Sequence, residues 1–122
     1  MTQKEIDLLL QDICSRLPYG VKVEYENEIF DVEYVCPMYE EVKLDIPETW
    51  TIGVSEVKPY LFPLSSMTEE QKKELHSLMI HDSYGILYHT IESIGYFYKN
   101  HIDIRGLIPM GLAIDATDKN IY

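Results

Sequence analysis

Three polar residues with the chemistry of an active site lie two positions apart in residues 101–105. If this segment is extended, His101, Asp103 and Arg105 share one side, and Ile102 and Ile104 share the other. A histidine, a carboxylate and a guanidinium on one face can bind an anion or transfer protons. The same trio also forms structural ion pairs, and the sequence favours this second role because such networks are common outside active sites.

The other candidate ligands and nucleophiles have less specific spacing. His89 and Glu92 lie three apart on a predicted helix, and His76 and His81 lie five apart near a helix end. Neither spacing matches a recognised metal-ligand set, and the sequence has no C-x-x-C motif, so we predict no metal and no cofactor. The sequence also lacks the G-x-S-x-G, G-x-x-x-x-G-K-[ST] and G-x-G-x-x-G signatures. Enzymatic activity therefore has no positive support.

Length and composition predict one packed domain over residues 1–122. The chain is 46% hydrophobic and has ten tyrosines, which is enough material for a single core. Lys4 and Glu5 stand where a secretory signal needs an apolar run, and no apolar stretch has the length of a membrane span. We therefore expect a cytoplasmic protein, in which Cys14 and Cys36 are reduced core residues and not a disulfide.

The net charge is the most distinctive bulk property. Ten Lys and Arg oppose twenty-one Asp and Glu, which gives a net charge of −11. This charge opposes nonspecific attraction to nucleic acids and anionic lipids, so we predict no direct nucleic-acid partner and no membrane partner. Most of the excess lies between residues 22 and 56, where only two lysines accompany the acidic side chains of Glu24, Glu26, Glu28, Asp31, Glu33, Glu40, Glu41, Asp45, Glu48 and Glu56.

Two capping boxes predict where helices begin. Thr2 and Glu5 precede an apolar stripe at helical spacing, which predicts a helix from Thr2 to Leu17. Thr68 and Gln71 repeat the pattern and predict a second helix directly after them.

A third helix is predicted over residues 84–100. Asp82 and Ser83 offer an N-cap, and apolar residues then recur at helical spacing. Its aromatic residues could face a partner, because aromatic side chains dominate interface anchors, but helical periodicity favours burial in the core. These residues are Tyr84, Tyr88, Tyr96, Phe97 and Tyr98.

Residues 21–57 alternate between apolar and polar side chains, which predicts strands of an antiparallel sheet with one buried and one exposed face. The pattern gives a hairpin over 21–36, a third strand at 42–46 and a fourth at 50–54. The hairpin's second strand should bury Phe30, Val32, Tyr34 and Cys36. The predicted exposed acidic side chains are Glu24, Glu26, Asp31, Glu33, Glu41 and Asp45.

The fold class that follows is α+β. An N-terminal helix precedes a four-stranded, mainly antiparallel sheet, and two helices and an irregular tail follow. Pro59 and Pro63 make residues 58–66 an extended, partly buried connector. The tail, residues 101–122, is broken by glycine and proline. The pattern leaves open whether the sheet curls into a small barrel.

Three phrases resemble a family of short uncharacterised proteins encoded by phages and mobile elements of gut Bacteroidales. They are KPYLFPLSSMTEEQ at residues 58–71, RGLIPMGLAIDATDKNIY at 105–122 and LPYGVK at 17–22. With the amphipathic helix that precedes LPYGVK, they cover both ends and the connector, roughly half of the chain. The resemblance implies a phage or prophage origin and a host-cell location, but no activity, ligand or catalytic residue. The acidic middle segment has no counterpart in it.

Three functional hypotheses follow from these patterns. The first is a non-enzymatic phage or prophage accessory protein that contacts a basic host or phage protein through the acidic sheet face. Carboxylates on that face could imitate the charge spacing of a nucleic acid, although such a face also serves solubility. The second is a small-ligand binding protein with a pocket near Arg105. The third is an enzyme that uses His101 and Asp103.

Overall fold

A computed structural model describes residues 1–47 and 50–122 of the chain, which form an α+β fold. Its helices are α1 (Gln3–Arg16), α2 (Glu69–Ser77) and α3 (Ile91–Lys99). Its strands are β1 (Lys22–Tyr25), β2 (Glu28–Cys36), β3 (Glu41–Leu44), β4 (Ile52–Gly53), β5 (Lys58–Pro63), β6 (Ile80–His81), β7 (Leu87–Tyr88), β8 (Ile102–Asp103) and β9 (Ile114–Asp115). Glu48, one of the acidic residues of the middle segment, lies outside the described residues.

Helix α1 begins as the sequence predicts. The Thr2 hydroxyl accepts a hydrogen bond from the Glu5 backbone N–H, and the Glu5 carboxylate accepts one from the Thr2 N–H, so both orphaned donors are satisfied. Leu9 and Ile13 are fully buried against the sheet. The helix ends at Arg16, one residue before the predicted end, because a 3-10 turn at Leu17–Tyr19 replaces its last turn.

Seven strands form one open sheet. Their order is β4-β3-β2-β1-β5-β8, and β9 also pairs with β5. The antiparallel run from β1 to β4 confirms the predicted hairpin and its two following strands, but the predicted count of four strands is wrong, because β5, β8 and β9 extend the sheet to seven. Among the described residues, β4 and β8 at the ends of this order do not pair, so the sheet is not closed into a barrel.

The segment predicted as a connector is a central strand of this sheet. Strand β5 pairs antiparallel with β1 and parallel with both β8 and β9, so the sheet is mixed. Tyr60 and Leu61 are both buried, which means that β5 is covered on its two faces and shows no alternation. Two prolines also argue against a strand, because they cannot donate to a ladder. The predicted irregular tail supplies β8 and β9, each only two residues long.

The third helix is predicted over residues 84–100, but residues 84–90 are not helical. Asp82 does not cap a helix: its carboxylate accepts hydrogen bonds from the Tyr84 and Ile86 N–H groups at 2.8 and 2.9 Å, and with Gly85 it forms a turn. This turn joins β6 to β7 in a separate two-stranded hairpin. Helix α3 begins only after Thr90, whose hydroxyl accepts from the Ser93 N–H.

A register shift in β2 changes which side chains are buried. The pairing of β2 with β3 shifts between Val32 and Tyr34, as in a β-bulge, so Tyr34 lies opposite Lys43 and Val35 opposite Val42. Tyr34 is therefore 48% exposed, and the prediction that it is buried is wrong. The inner face of the sheet packs with α1 in one core that includes Leu9, Ile13, Val21, Val23, Val42, Leu44, Val54, Val57, Leu61 and Leu107.

Candidate functional site

The structure does not bring His101, Asp103 and Arg105 onto one shared face. The backbone at His101 is left-handed, with φ of 59°, so the extended geometry on which the shared face depends is absent there. Asp103 is buried, and its two carboxylate oxygens accept hydrogen bonds from the Leu107 and Ile108 N–H groups, both at 2.9 Å. This carboxylate holds the turn that follows β8.

Arg105 belongs to a different cluster, built around Asp12. Its Nη1 donates to Asp12 Oδ1 at 2.8 Å, and its Nη2 donates to the Tyr98 hydroxyl at 3.2 Å. Asp12 is fully buried on α1 and also accepts from Arg16 Nε and Nη2, at 2.9 and 3.0 Å. The buried Asp12 carboxylate thus pairs with two guanidinium groups and connects α1 to the segment that follows β8.

The second arginine of this cluster is itself fully buried. Arg16 Nη2 donates to the Ile102 carbonyl at 2.6 Å, while its Nη1 has no hydrogen-bond partner within the described residues. The Tyr98 ring lies 5.3 Å from the Arg16 guanidinium and 5.5 Å from that of Arg105, within cation–π range. Sequence reasoning missed Asp12 and Arg16, although a charged pair four residues apart on the apolar stripe of α1 was a readable signal.

His101 packs against an aromatic ring. Its imidazole is stacked on the Tyr122 ring, with centroids 3.5 Å apart and planes 14° from parallel. Burial, aided by the positive charges of Arg16 and Lys22, lowers the pKa of His101 to about 4. The ring is therefore neutral at pH 7, and its Nδ1 is buried without a protein hydrogen-bond partner in the described structure.

Tyr122 joins two strands through its hydroxyl. The hydroxyl accepts a hydrogen bond from the Lys22 N–H of β1 at 3.1 Å and donates one to the Tyr60 carbonyl of β5 at 2.9 Å. Although Tyr122 is 40% exposed, partial burial raises the pKa of its hydroxyl to about 12, and the hydroxyl is protonated and can donate. No sequence motif marks this residue.

Two cavities lie near the predicted trio. The larger, about 540 Å³, is lined by His101, Tyr122 and residues of β5, α2 and α3. The other cavity, about 510 Å³, lies at Arg105, where the sequence predicts a pocket. Its lining includes Asp103, Arg105 and Pro63. In this second cavity both charged groups already hold protein partners, as described above.

Four of the six predicted acidic residues project from the outer face of the sheet. Cross-strand pairing sets Asp31 opposite Lys22 and Glu41 opposite Cys36, and the opposite face carries the core. Two lysines partly neutralise this surface: Lys22 Nζ lies 2.9 Å from Asp31 Oδ1, and Lys43 Nζ lies 3.6 Å from Glu33 Oε2. We call Glu24, Asp31, Glu33 and Glu41 the acidic face.

Glu26 and Asp45 lie outside this regular array. Glu26 occupies the left-handed turn between β1 and β2, with φ of 49°. Asp45 follows β3, and its carboxylate accepts a hydrogen bond from the Asp31 N–H at 3.0 Å. Both side chains are exposed, but their positions are set by turn and strand-end geometry.

The predicted aromatic stripe is divided between two environments. Phe97 is buried and Tyr98 half-buried, which agrees with the core interpretation. Tyr84 and Tyr88 are 88% and 49% exposed, because they lie on the β6–β7 hairpin and not on a helix.

The remaining histidines and cysteines do not converge. His89 Nδ1 lies 3.0 Å from the Ser93 hydroxyl, and the rings of His76 and His81 meet edge to face. No group of three metal-binding side chains occurs among residues 1–47 and 50–122. Both cysteines are free, but the prediction that they are core residues is wrong. Cys14 on α1 is exposed, and Cys36, which lies opposite Glu41, is only half-buried.

No helix in the described part of the chain is both long enough and apolar enough to span a bilayer. No family model matches the sequence. No curated protein and no solved structure matches it either.

Proposed function

We propose that this chain is a non-enzymatic accessory protein, of the kind that phages and prophages encode, which binds a basic protein through its acidic face. The observation that carries the proposal is the placement of Glu24, Asp31, Glu33 and Glu41 on one face of adjacent strands, while α1 packs against the opposite face. Complementary charge steers a basic partner to such a surface and fixes its orientation.

Two exposed apolar side chains on the same strands support a protein partner. Ile29 and Tyr34 are 46% and 48% exposed, and they lie on β2 among the carboxylates. Tyrosine is enriched among the residues that dominate binding energy, and charged groups typically surround such anchors.

The polar groups of the predicted site already make structural contacts, which supports a non-enzymatic role. Asp103 caps backbone N–H groups, and Arg105 is paired with Asp12. The phage or prophage origin is a separate part of the proposal, and it depends only on the resemblance of residues 17–22, 58–71 and 105–122.

The test compares two triple variants that lose the same charge. Glu24→Gln, Glu33→Gln and Glu41→Gln neutralise the acidic face, whereas the control set Glu56→Gln, Glu70→Gln and Glu92→Gln removes three exposed carboxylates elsewhere. A partner retained by the tagged chain from host lysate is first purified, and its dissociation constant for each form is then measured at several salt concentrations.

The acidic-face variant is expected to bind roughly tenfold more weakly, since each exposed ion pair contributes about 0.2–1 kcal/mol. Its affinity should also depend less on salt than that of the natural chain. The control set should bind like the natural chain. Equal affinities for the two triple variants would overturn the proposal.

A further inference from the structure

The larger cavity lies where four segments of the fold meet. It is bounded by the end of β5, the start of α2, the end of α3 and the turn after β9. Its volume of about 540 Å³ lies within the range of small-ligand sites. Three rings form its aromatic wall: His101 stacks on Tyr122, and Phe62 lies 5.9 Å from Tyr122 between ring centroids. A planar ligand can extend such a stack.

Two amide side chains line this cavity, and each has one polar atom without a hydrogen-bond partner in the described structure. The Gln71 Oε1 accepts from the Thr68 N–H at 2.9 Å, which leaves the Gln71 amide N–H groups without a protein acceptor in the described structure. The Asn100 Nδ2 donates to the Tyr96 carbonyl at 2.9 Å, which leaves the Asn100 Oδ1 as an acceptor. The cavity therefore offers amide donors at Gln71 and a carbonyl acceptor at Asn100 beside the aromatic wall.

The charges around the cavity favour an uncharged ligand. Lys99 and Asp118 both line it and oppose each other in sign, and His101 is neutral at pH 7. The chain as a whole carries a net charge of −11, which repels phosphates and other anions.

We infer that this cavity binds a neutral planar heterocycle of the nucleobase class, free or as an unphosphorylated nucleoside. Stacking on aromatic side chains recognises the face of a base, and paired donors and acceptors of amide side chains recognise its edge. This inference is independent of the acidic face, so its failure would leave the proposed protein contact intact.

The experiment titrates the full chain with adenosine, guanosine, cytidine and uridine, using calorimetry and the NMR shifts of the His101 and Tyr122 rings. At least one nucleoside should bind and shift both rings, whereas ribose should not bind. The matching 5′-monophosphate should bind about tenfold more weakly than the nucleoside, because its charge is repelled.

A conservative variant tests the edge contact without disturbing the helix cap. Gln71→Glu keeps the oxygen that accepts from Thr68 but removes the amide donor, and it should weaken nucleoside binding about tenfold. Gln11→Glu makes the same change on an exposed site of α1 and should bind like the natural chain. Three results would each overturn the inference: no binding of any nucleoside, monophosphate binding as tight as nucleoside binding, or equal affinities for the two variants.

Discussion

The Tyr122 hydroxyl donates a hydrogen bond to the Tyr60 carbonyl at 2.9 Å, at the position where the ladder between β1 and β5 stops. The last paired residues of that ladder are Val23 and Pro59, so Lys22 and Tyr60 would form the next pair. The Tyr122 hydroxyl lies between them and bonds to both. A side chain from the far end of the sequence thus replaces one rung of the sheet.

Removing this hydroxyl should destabilise the fold. In Tyr122→Phe the Lys22 N–H and the Tyr60 carbonyl both lose their partner, and we expect a loss of about 1–3 kcal/mol in the free energy of unfolding. Urea denaturation measures it. The control is Tyr39→Phe at a 72% exposed site, where the change should stay within about 0.5 kcal/mol. Similar losses in the two variants would contradict the bridging role.

The carboxylate of Asp12 should contribute far more to stability than an ordinary helix carboxylate. Asp12→Asn leaves the buried Arg16 and the half-buried Arg105 without a counter-charge, and we expect a cost of about 3–5 kcal/mol. Thermal and urea unfolding measure it. Asp7→Asn, an exposed change on the same helix, should cost much less, and a comparable cost would show that Asp12 is not the centre of the cluster.

Stability should fall on acidification between pH 6.5 and about 4. The pKa of His101 is about 4 in the folded chain, below its usual 6.5, so the unfolded chain binds more protons in this window. The free energy of unfolding therefore rises with pH there, and the contribution of His101 is at most about 3 kcal/mol because the ring is only partly buried.

The variant His101→Asn tests this assignment. Asparagine tolerates a left-handed backbone but does not titrate, so the variant should lose this part of the pH dependence. His76→Asn, at an exposed site, should keep it. NMR titration of the His101 ring gives its pKa directly, and a value near 6.5 would contradict the burial argument.

The β6–β7 hairpin should depend on Asp82. Asp82→Ala removes the acceptor for the Tyr84 and Ile86 N–H groups and for the Tyr88 hydroxyl. We expect faster hydrogen exchange at the Ile86 N–H, with little change at buried amides of α1. Ser83→Ala, an exposed change one residue away, is the control. Equal exchange rates in the two variants would mean that the turn forms without this carboxylate.

Local signals in the sequence predicted much of the fold. Both capping boxes, at Thr2 and Thr68, depend on residues three apart, and both are confirmed. The hairpin of β1 and β2 is confirmed as well, since alternation and the turn at Asn27 specify it locally. Asp82 shows the limit of such reasoning, because the same carboxylate is compatible with an N-cap and with a turn.

Features that depend on distant residues were not predictable in this way. The parallel partners of β5 lie about 40 and 54 positions away, and the register shift in β2 has no sequence signature. The trio at residues 101–105 does not pair within itself in the described structure, and only its Arg105 takes part in an ion pair. The partner of Arg105, Asp12, lies 93 positions away. The four-residue spacing of Asp12 and Arg16 is a local signal for that pair, but no local spacing links Asp12 to Arg105.

That separation bears on the order in which the chain folds. The contact between Asp12 and Arg105 closes about three quarters of the sequence into a loop, and non-local contacts of this kind form late and slow folding. Before residues 102–105 have been synthesised, Arg16 lacks the Ile102 carbonyl and Asp12 lacks the Arg105 guanidinium. We therefore expect folding to be completed only once residues 102–105 have been synthesised.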